Sequence, residues 1–398
     1  MSLLPLEEAL ARLLAMADTD AIAERERVSL AHAEGRVLAE PVVAGLDLPP
    51  WSNSAMDGYA LRFEDLLGEP LPVSQRIFAG QSPEALLPNT CARIFTGAPM
   101  PEGADTVEMQ ENTEVLDDGR IRFLQPLKQG KNVRLKGNET CQGDTVLEAG
   151  KRLGPIELGI AASLGCAELE VFRRARVAIL STGDELVEPG KPLGPGQIYN
   201  SNRTVLASWL KRLGCEVVDA GILPDDLDRT REQLSQLSQV DLILSTGGVS
   251  VGEADFLGQA LREAGELTLW KLALKPGKPL TCGRFNQVPV IGLPGNPAST
   301  LVTFGLLARP YLLRRMGVQK VEPLMLHVAA GFTWTRVGDR REYQRARLEN
   351  GRVVPHRDQG SNVLRTAAWA DGLVEVREGR TIAEGDLVKF IPISELMA

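Results

Sequence analysis

The pentapeptide Ile-Leu-Ser-Thr-Gly occurs twice, at Ile179–Gly183 and Ile243–Gly247. Each copy ends an apolar run, Val177–Leu180 or Leu242–Leu244, and carboxylates follow within a few residues. Such runs bounded by glycine read as parallel strands covered on both faces. In an open α/β sheet, the loops leaving the carboxyl ends of strands build the ligand site. Two loops rich in Ser, Thr, Gly and acid therefore predict one site for an anionic ligand and a divalent metal. The first supplies Ser181, Thr182, Gly183, Asp184 and Glu185, whose acids suit oxygen ligation of Mg²⁺. The second supplies Ser245, Thr246, Gly247, Gly248, Ser250 and Asp255. Its glycines let backbone amides approach a phosphate, and the helix start beyond them favours negative charge. Asp255 also stands where a helix cap is wanted, and the two roles are compatible.

Lys271, Lys275 and Lys278 crowd the end of another apolar run, where they can neutralise a phosphate or an oxyanion. Strand alternation puts Lys271 and Lys275 on one face; a solvated strand end is the bland alternative. Pro294, Gly295 and Asn296 turn a further strand into a helix, with Asn296 as cap and Pro297 in the first turn. Two more loops hold Asp57 (within Pro49–Ala60) and Thr96 (within Ile94–Pro99). Composition alone makes them turns and surface loops. Arg336, Arg340, Arg341, Arg345, Arg347, Arg352, Arg357 and Arg365 gather in the last part of an acidic chain. They read as a solvated strand face or an anion-reading surface.

Alternating strands and helices from Ala175 to about Gly317 must position these loops. The strands are expected at Val177–Leu180, Glu216–Ile222, Asp241–Leu244, Leu267–Leu274, Leu280–Phe285 and Val288–Leu293. Helices are expected at Arg203–Leu213, Leu227–Leu237, Asp255–Ala264 and Ala298–Met316. This alternation implies right-handed crossovers and a parallel-rich, doubly wound sheet. Helical spacing predicts helices over Leu4–Asp18, Ser29–Glu40 (ended by Pro41) and Gly154–Gly165. Short β runs at Leu71–Phe78, Cys91–Phe95, Thr106–Gln110, Arg120–Leu124 and Asp144–Leu147 indicate a small all-β region. Leu324–Ala329, Arg345–Glu349, Leu373–Val376 and Leu387–Ile391 indicate a C-terminal barrel or sandwich. The fold class is multidomain α/β and β, with β-rich modules on both sides of the central sheet.

At 398 residues the chain is too long for one core. With 43% hydrophobic and 24% charged residues it has the composition of a soluble globular protein. A formal charge of −8 argues against a nucleic-acid partner, which selects a basic face. No apolar stretch is long enough to span a bilayer. Met1–Glu8 has no basic flank, so it does not read as a signal peptide and a cytoplasmic location is expected. The five cysteines show no zinc or redox spacing. With only three histidines, a metal held by carboxylates, Mg²⁺ rather than Zn²⁺, is the expectation.

Asn53-Ser54-Ala55-Met56-Asp57-Gly58-Tyr59-Ala60, Phe95-Thr96-Gly97-Ala98, Ser181–Leu186, Ser245–Asp255, Lys275–Pro279 and Leu293–Ser299 follow one another in a distinctive order. In this the chain resembles the molybdopterin molybdenumtransferases, the MoeA family, whose eukaryotic relatives include the gephyrin E domain. The resemblance covers nearly the whole chain. It implies a four-domain subunit: residues 1–45 plus 142–174 with the N-terminal helix, 46–141 as an inserted β-rich domain, 175–318 as the molybdopterin-binding α/β domain, and 319–398 as a C-terminal barrel. It further implies a homodimer whose partner subunit helps to line the site. The implied reaction joins molybdate to adenylylated molybdopterin, with Mg²⁺-dependent release of AMP. Contacts with the adenylyltransferase that makes the substrate, and with proteins that mature molybdoenzymes, follow from the same likeness.

Carried over motif by motif, the catalytic candidates are Asp57, Thr96, Glu185, Asp255, Lys271 and Lys275. Substrate-binding candidates are Ser181, Thr182, Gly183, Asp225, Ser245, Thr246, Gly247, Gly248, Ser250, Lys278, Pro294, Gly295 and Asn296, with Arg345 and Ser361 in the C-terminal module. The metal candidates are Glu185, Asp225 (or its neighbour Asp226) and Asp255. Two rival functions are a molybdopterin adenylyltransferase, which resembles the central domain alone, and a non-enzymatic scaffold of the gephyrin kind. The flanking β domains speak against the first; the acids and lysines speak against the second.

Overall fold

The structure is a computed structural model that describes residues 3–248, 256–264 and 267–397. It divides into two compact units. One comprises Met1–Ala39, Gly150–Gly154 and Glu168–Ala398; the other comprises Glu40–Ala149 and Pro155–Ala167.

The larger unit is built on a six-stranded sheet. Its order is Glu216–Leu223, Arg176–Thr182, Leu242–Thr246, Val288–Leu293, Pro279–Phe285 and Leu267–Lys271. The first four strands are parallel. Pro279–Phe285 runs antiparallel to Val288–Leu293, and Leu267–Lys271 antiparallel to Pro279–Phe285, so the sheet is parallel-rich, as expected, and not wholly parallel. A tight turn explains why: Asn286 and Gln287 both take positive φ, 47° and 69°, the geometry of a two-residue hairpin that leaves no room for a crossover helix.

Both faces of the sheet are covered. Ala178, Leu180, Ile243 and Val290 meet Leu234 from helix Leu227–Gln236 and Leu257 and Leu261 from helix Phe256–Glu263. Val177, Ile179, Leu244 and Ile291 point the other way, toward Leu206 and Leu210 of helix Ser201–Arg212, the C-terminal helices and helix Leu6–Thr19. Leu6, Ala9, Leu13 and Ala17 form the buried stripe of that first helix, at the spacing an amphipathic helix requires. Pro310 interrupts the long helix expected over Ala298–Met316. Pro297–Thr303 and Arg309–Arg315 are joined by a π-helical segment, Phe304–Ala308. A proline lacks the amide hydrogen and crowds the carbonyl four residues back, and the wider turn before it relieves both problems.

Ser29–Glu40 is not a helix. Strand Arg25–Ser29 pairs with Glu168–Phe172, and only Leu30–His32 forms a 3₁₀ turn. Val37 and Leu38 then bridge to Arg152 and Val171. The buried guanidinium of Arg36 pairs with Glu26 and donates to the Phe172 carbonyl at 2.8 Å. These strand partners lie more than a hundred residues away, where helical periodicity carries no information about them.

The strand expected over Leu267–Leu274 is cut at Lys271. Leu4 intervenes: its amide donates to the Lys271 carbonyl, and its own carbonyl accepts from Ala273, both at 2.8 Å. Leu274–Lys275 instead joins the C-terminal module, in parallel register with Arg341 and Glu342. Lys271 and Lys275 therefore belong to different sheets, and the same-face reading falls.

The C-terminal module closes as a barrel. Its circuit runs Arg341–Glu349, Arg352–Pro355, Leu326–Ala330, Leu387–Pro392, Gly372–Val376 and back to Arg341–Glu349. Ala330, Ala346, Val353, Val374, Val376, Val388 and Phe390 fill it.

The smaller unit holds a four-stranded sheet in the order Val73–Ile77, Cys91–Ile94, Gly58–Leu61 and Thr106–Met109. Gly58 is obligatory at its crossing with the last strand, because a Cβ there would stand 1.8 Å from the Glu108 carbonyl oxygen. Helix Pro155–Ser163 begins at its proline, as the sequence predicts.

Candidate active site

Strand Arg176–Thr182 has sheet neighbours on both sides, Glu216–Leu223 and Leu242–Thr246, reached by crossovers in opposite directions. The loops at such a switch point splay apart and leave a crevice. Here the two copies of Ile-Leu-Ser-Thr-Gly lie side by side, with Ser181 opposite Thr246 in register and the Thr246 hydroxyl 3.3 Å from the Ser181 hydroxyl. Ser181, Ser245 and Thr246 are buried, so they shape the floor. Gly247, at φ +86°, crosses so close to Thr182 that a Cβ would lie 2.7 Å from the Thr182 carbonyl.

The third loop joins from the next strand. The Gly247 amide donates to the Leu293 carbonyl at 3.2 Å, and Gly295 abuts Gly247. Thr300 bonds the Pro294 carbonyl at 2.5 Å, and Asn202 bonds the Gly295 carbonyl at 2.7 Å. Ser181–Gly183, Ser245–Gly248 and Pro294–Asn296 thus form one basin at the carboxyl end of the sheet. Ser250 and Asp255 lie outside the described residues.

Acids flank this basin. Asp184, Glu185 and Asp225 are exposed at the ends of the first two strands, and the Asp184 carboxylate accepts from the Asp225 amide at 3.2 Å. Burial and the nearby carboxylates of Asp184 and Glu185 push the Asp225 carboxyl above its ordinary value. Asp226 turns away from this role: its side chain caps helix Leu227–Gln236, accepting from the Arg229 amide at 2.8 Å. Among the described residues, no three His, Cys, Asp or Glu side chains already form a metal cluster.

Lys271 ends an edge strand of the sheet, and Lys278 is exposed in the turn beyond. Gly277, at φ +117°, brings that turn against helix Pro297–Thr303, where a Cβ would meet the Thr303 hydroxyl at 2.4 Å. Lys275 faces the barrel, with its ammonium 3.0 Å from Glu342. Ser361 reaches the same helix: its carbonyl accepts from the Ala298 amide at 2.9 Å. Arg345 is wholly buried and holds the loop that carries Ser361, donating to the Gly360 carbonyl at 2.9 Å and to the Thr366 hydroxyl at 3.0 Å. Burial pushes its guanidinium pKa down, against the attraction of Asp358.

The remaining arginines divide. Arg341 is gripped by Glu7, Glu375 and Glu378, while Arg352 pairs with Glu384. Arg336 and Arg357 line a cavity beside Lys275.

In the smaller unit, the Asp57 carboxylate accepts from both the Thr96 amide and the Thr96 hydroxyl, each at 2.7 Å. These bonds, with Arg93 nearby, hold its carboxyl below the usual range. Ser54 supports the arrangement, accepting from the Gly97 amide and donating to the Ala98 carbonyl. Glu342, Asn202 and Gln344 escaped the sequence reading. Nothing local marks them, since each matters through a partner brought in by the fold.

Three family models match in succession. The MoeA N-terminal region (domain I and II) covers residues 4–165, a probable molybdopterin binding domain covers 178–314, and the MoeA C-terminal region (domain IV) covers 327–393. A molybdopterin molybdenumtransferase of Haemophilus influenzae is 38% identical over 384 residues, which is 94% of this chain and 95% of that one. The chain belongs to the MoeA family.

A second MoeA relative, the molybdopterin molybdenumtransferase of a Nostoc species, is 42% identical across 78% of this chain and 74% of its own. The crystal structure of the molybdopterin biosynthesis MoeA protein of Pyrococcus horikoshii superimposes with a TM-score of 0.83 at 28% identity, covering 98% of this chain and 100% of that one. The MoeA fold thus spans both compact units.

Proposed function

We propose that this MoeA chain is a molybdopterin molybdenumtransferase of molybdenum cofactor biosynthesis, joining molybdate to adenylylated molybdopterin and releasing AMP. The observation that carries the reading is the basin itself: three strand-end loops meet at the switch point, with acids on one flank, Lys271 at the end of the sheet's edge strand and Lys278 just before the strand that neighbours Val288–Leu293. That arrangement suits a ligand with several phosphate groups and a flat ring system.

The phosphoanhydride breaks as one molybdate oxygen ends on the AMP phosphate, a second molybdate oxygen leaves as water with the thiol protons, and the two dithiolene sulfurs take their places on molybdenum, whose oxidation state does not change. No protein nucleophile is required. Loop amides and the Ser181–Gly183 and Ser245–Gly248 segments hold phosphate oxygens, while Pro294–Asn296 fixes the third wall. Lys271, Lys275 and Lys278 offset the charge that grows on the leaving group and on the incoming oxyanion.

Glu185 and Asp225, with Asp255 by motif, would hold Mg²⁺. The like-charge pressure on Asp225 is what a cation would relieve, and Mg²⁺ commonly uses one or two carboxylates together with substrate phosphates. When bound, it would neutralise phosphate charge. Asp57, whose carboxylate is oriented by Thr96, is a further catalytic candidate in this reading.

A homodimer, a cytoplasmic location, the four-domain division, and contacts with the adenylyltransferase and the molybdoenzyme-maturation proteins belong to the same reading. No helix among the described residues is long and apolar enough to cross a membrane.

The test is AMP release from purified protein supplied with adenylylated molybdopterin and Mg²⁺, with and without molybdate. Molybdate-stimulated release that is lost in Asp57→Ala and Lys275→Ala is the expected result. ATP consumption with pyrophosphate release would make the chain an adenylyltransferase, and no turnover at all would favour a scaffold.

A further inference from the structure

We infer that Glu342 is a resident counter-charge for Lys275, one that holds the ammonium in place while the site is empty and tempers its grip on an oxyanion. The inference deepens, and rests on, the reading of Lys275 as an anion-binding residue.

Lys275 and Glu342 are register partners in adjacent parallel strands, so their side chains leave the same face of the sheet. The ammonium stands 3.0 Å from Oε1 of Glu342. The second carboxylate oxygen, Oε2, accepts from the side-chain Nε2 of Gln344 at 3.3 Å. The Glu342 side chain is only 12% exposed, whereas that of Lys275 is 40% exposed. The carboxylate is therefore the fixed partner and the lysine the movable one.

Both residues line a cavity of about 540 Å³, together with Arg336, Arg357, His356, Thr335 and others. Setting His356 aside, the charged lining is three cations, Lys275, Arg336 and Arg357, against the single carboxylate of Glu342. Such a cavity favours a compact anion. An ammonium has three donor hydrogens, so Lys275 can keep its bond to Glu342 while donating to an incoming oxyanion. The carboxylate then sits close to the bound anion and opposes it. An oxyanion that must be passed on to a second substrate gains nothing from being stored, since tight ground-state binding does not speed the chemical step. Glu342 thus acts on the anion through Lys275 and is a positioning residue.

The experiment is calorimetric titration of molybdate alone into the intact protein, with sulfate as competitor. Variants are Glu342→Gln, which keeps an acceptor but removes the charge, and Glu342→Asp, which keeps the charge. Thr335→Glu adds a carboxylate at an exposed position of the same cavity. Glu342→Gln should bind molybdate roughly tenfold more tightly, Glu342→Asp should stay within about twofold of wild type, and Thr335→Glu should bind several-fold more weakly. A merely structural Glu342 would lower the melting temperature of Glu342→Gln without tightening the anion. Unchanged or weaker binding in Glu342→Gln overturns the inference. If Glu342→Gln does not fold, unchanged binding in Thr335→Glu overturns it instead, and so does a wild type that binds no molybdate. Absence of AMP release alongside tightened binding would sink the transferase reading and leave the counter-charge standing.

Discussion

A single oxygen of Asp57 accepts two hydrogen bonds from one residue, the amide and the hydroxyl of Thr96, both at 2.7 Å. The carboxylate is exposed, yet its direction is set by a loop that follows a neighbouring strand. Thr96→Val keeps the amide bond and removes the other. The Asp57 pKa should rise toward its ordinary value, as followed by carboxyl-carbon NMR titration. AMP release should fall about tenfold while the melting temperature changes little. An unchanged titration would show that the hydroxyl does not orient Asp57.

Gly247 makes the sharpest steric prediction. Its Cβ would strike Thr182, and its φ of +86° disfavours any side chain. Gly247→Ala should lose about 2–3 kcal/mol by urea unfolding and abolish turnover. Gly165, at φ +79° with open space around it, is the comparison: Gly165→Ala should lose about 1 kcal/mol and keep its activity. Equal losses in the two variants would mean that the loop contact is not tight.

Asp241, just before strand Leu242–Thr246, is a heavily paired acid. Arg173 grips both of its oxygens, at 2.7 and 3.0 Å, and the Arg176 amide donates to one of them at 2.7 Å. Burial alone would raise its pKa, but the Arg173 and Arg176 hydrogen bonds outweigh burial and bring it below the ordinary value. The stability it confers is therefore full above the ordinary carboxylate range and is lost as pH falls through the depressed folded value. Asp241→Ala should cost about 2–4 kcal/mol at neutral pH, with Arg173's partial exposure holding the figure down. The deficit should shrink on acidification; a pH-independent deficit would contradict the ion-pair account.

Mg²⁺ affinity, measured by calorimetry in the presence of a non-hydrolysable phosphoanhydride, should drop roughly tenfold in Glu185→Gln. Asp226→Asn should leave it unchanged, because that side chain serves as a helix cap. The reverse ranking would move the metal to the other side of the loop.

Thiol reactivity offers an inexpensive check on the packing. Burial pushes the Cys91 and Cys215 thiols up to about 12, and Cys282 is raised as well. Cys141 is exposed and Cys166 half-buried. A native-state thiol reagent should label Cys141 first and Cys166 more slowly, with the other three protected until unfolding. Early loss of Cys282 would be inconsistent with the sheet core described above.

Much of this was legible in the chain itself. Buried strands such as Val288–Leu293 carry continuous apolar runs, and the loop residues at their ends are written beside them, so Ser181–Gly183 and Pro294–Asn296 could be placed in the strand-end basin by local pattern. Pro155 at a helix start and the short β runs between Leu71 and Leu147 are equally local signals. Where the pattern failed, a distant segment had decided the outcome. Val37 and Leu38 became bridge residues because Arg152 and Val171 lie alongside them. Lys275 left the strand of Lys271 because Leu4 broke that strand and Arg341 and Glu342 offered a free edge.

The sequence by itself therefore determined the fold class, the order of the elements and the loops that meet at the carboxyl end of the sheet, since all three depend on short-range periodicity and turn chemistry. The tertiary structure alone decided which charges meet. It buried Arg345 as a support for the Ser361 loop and set Glu342 against Lys275. Electrostatic pairing is fixed by register and burial, and both arise only when segments far apart in the chain pack together.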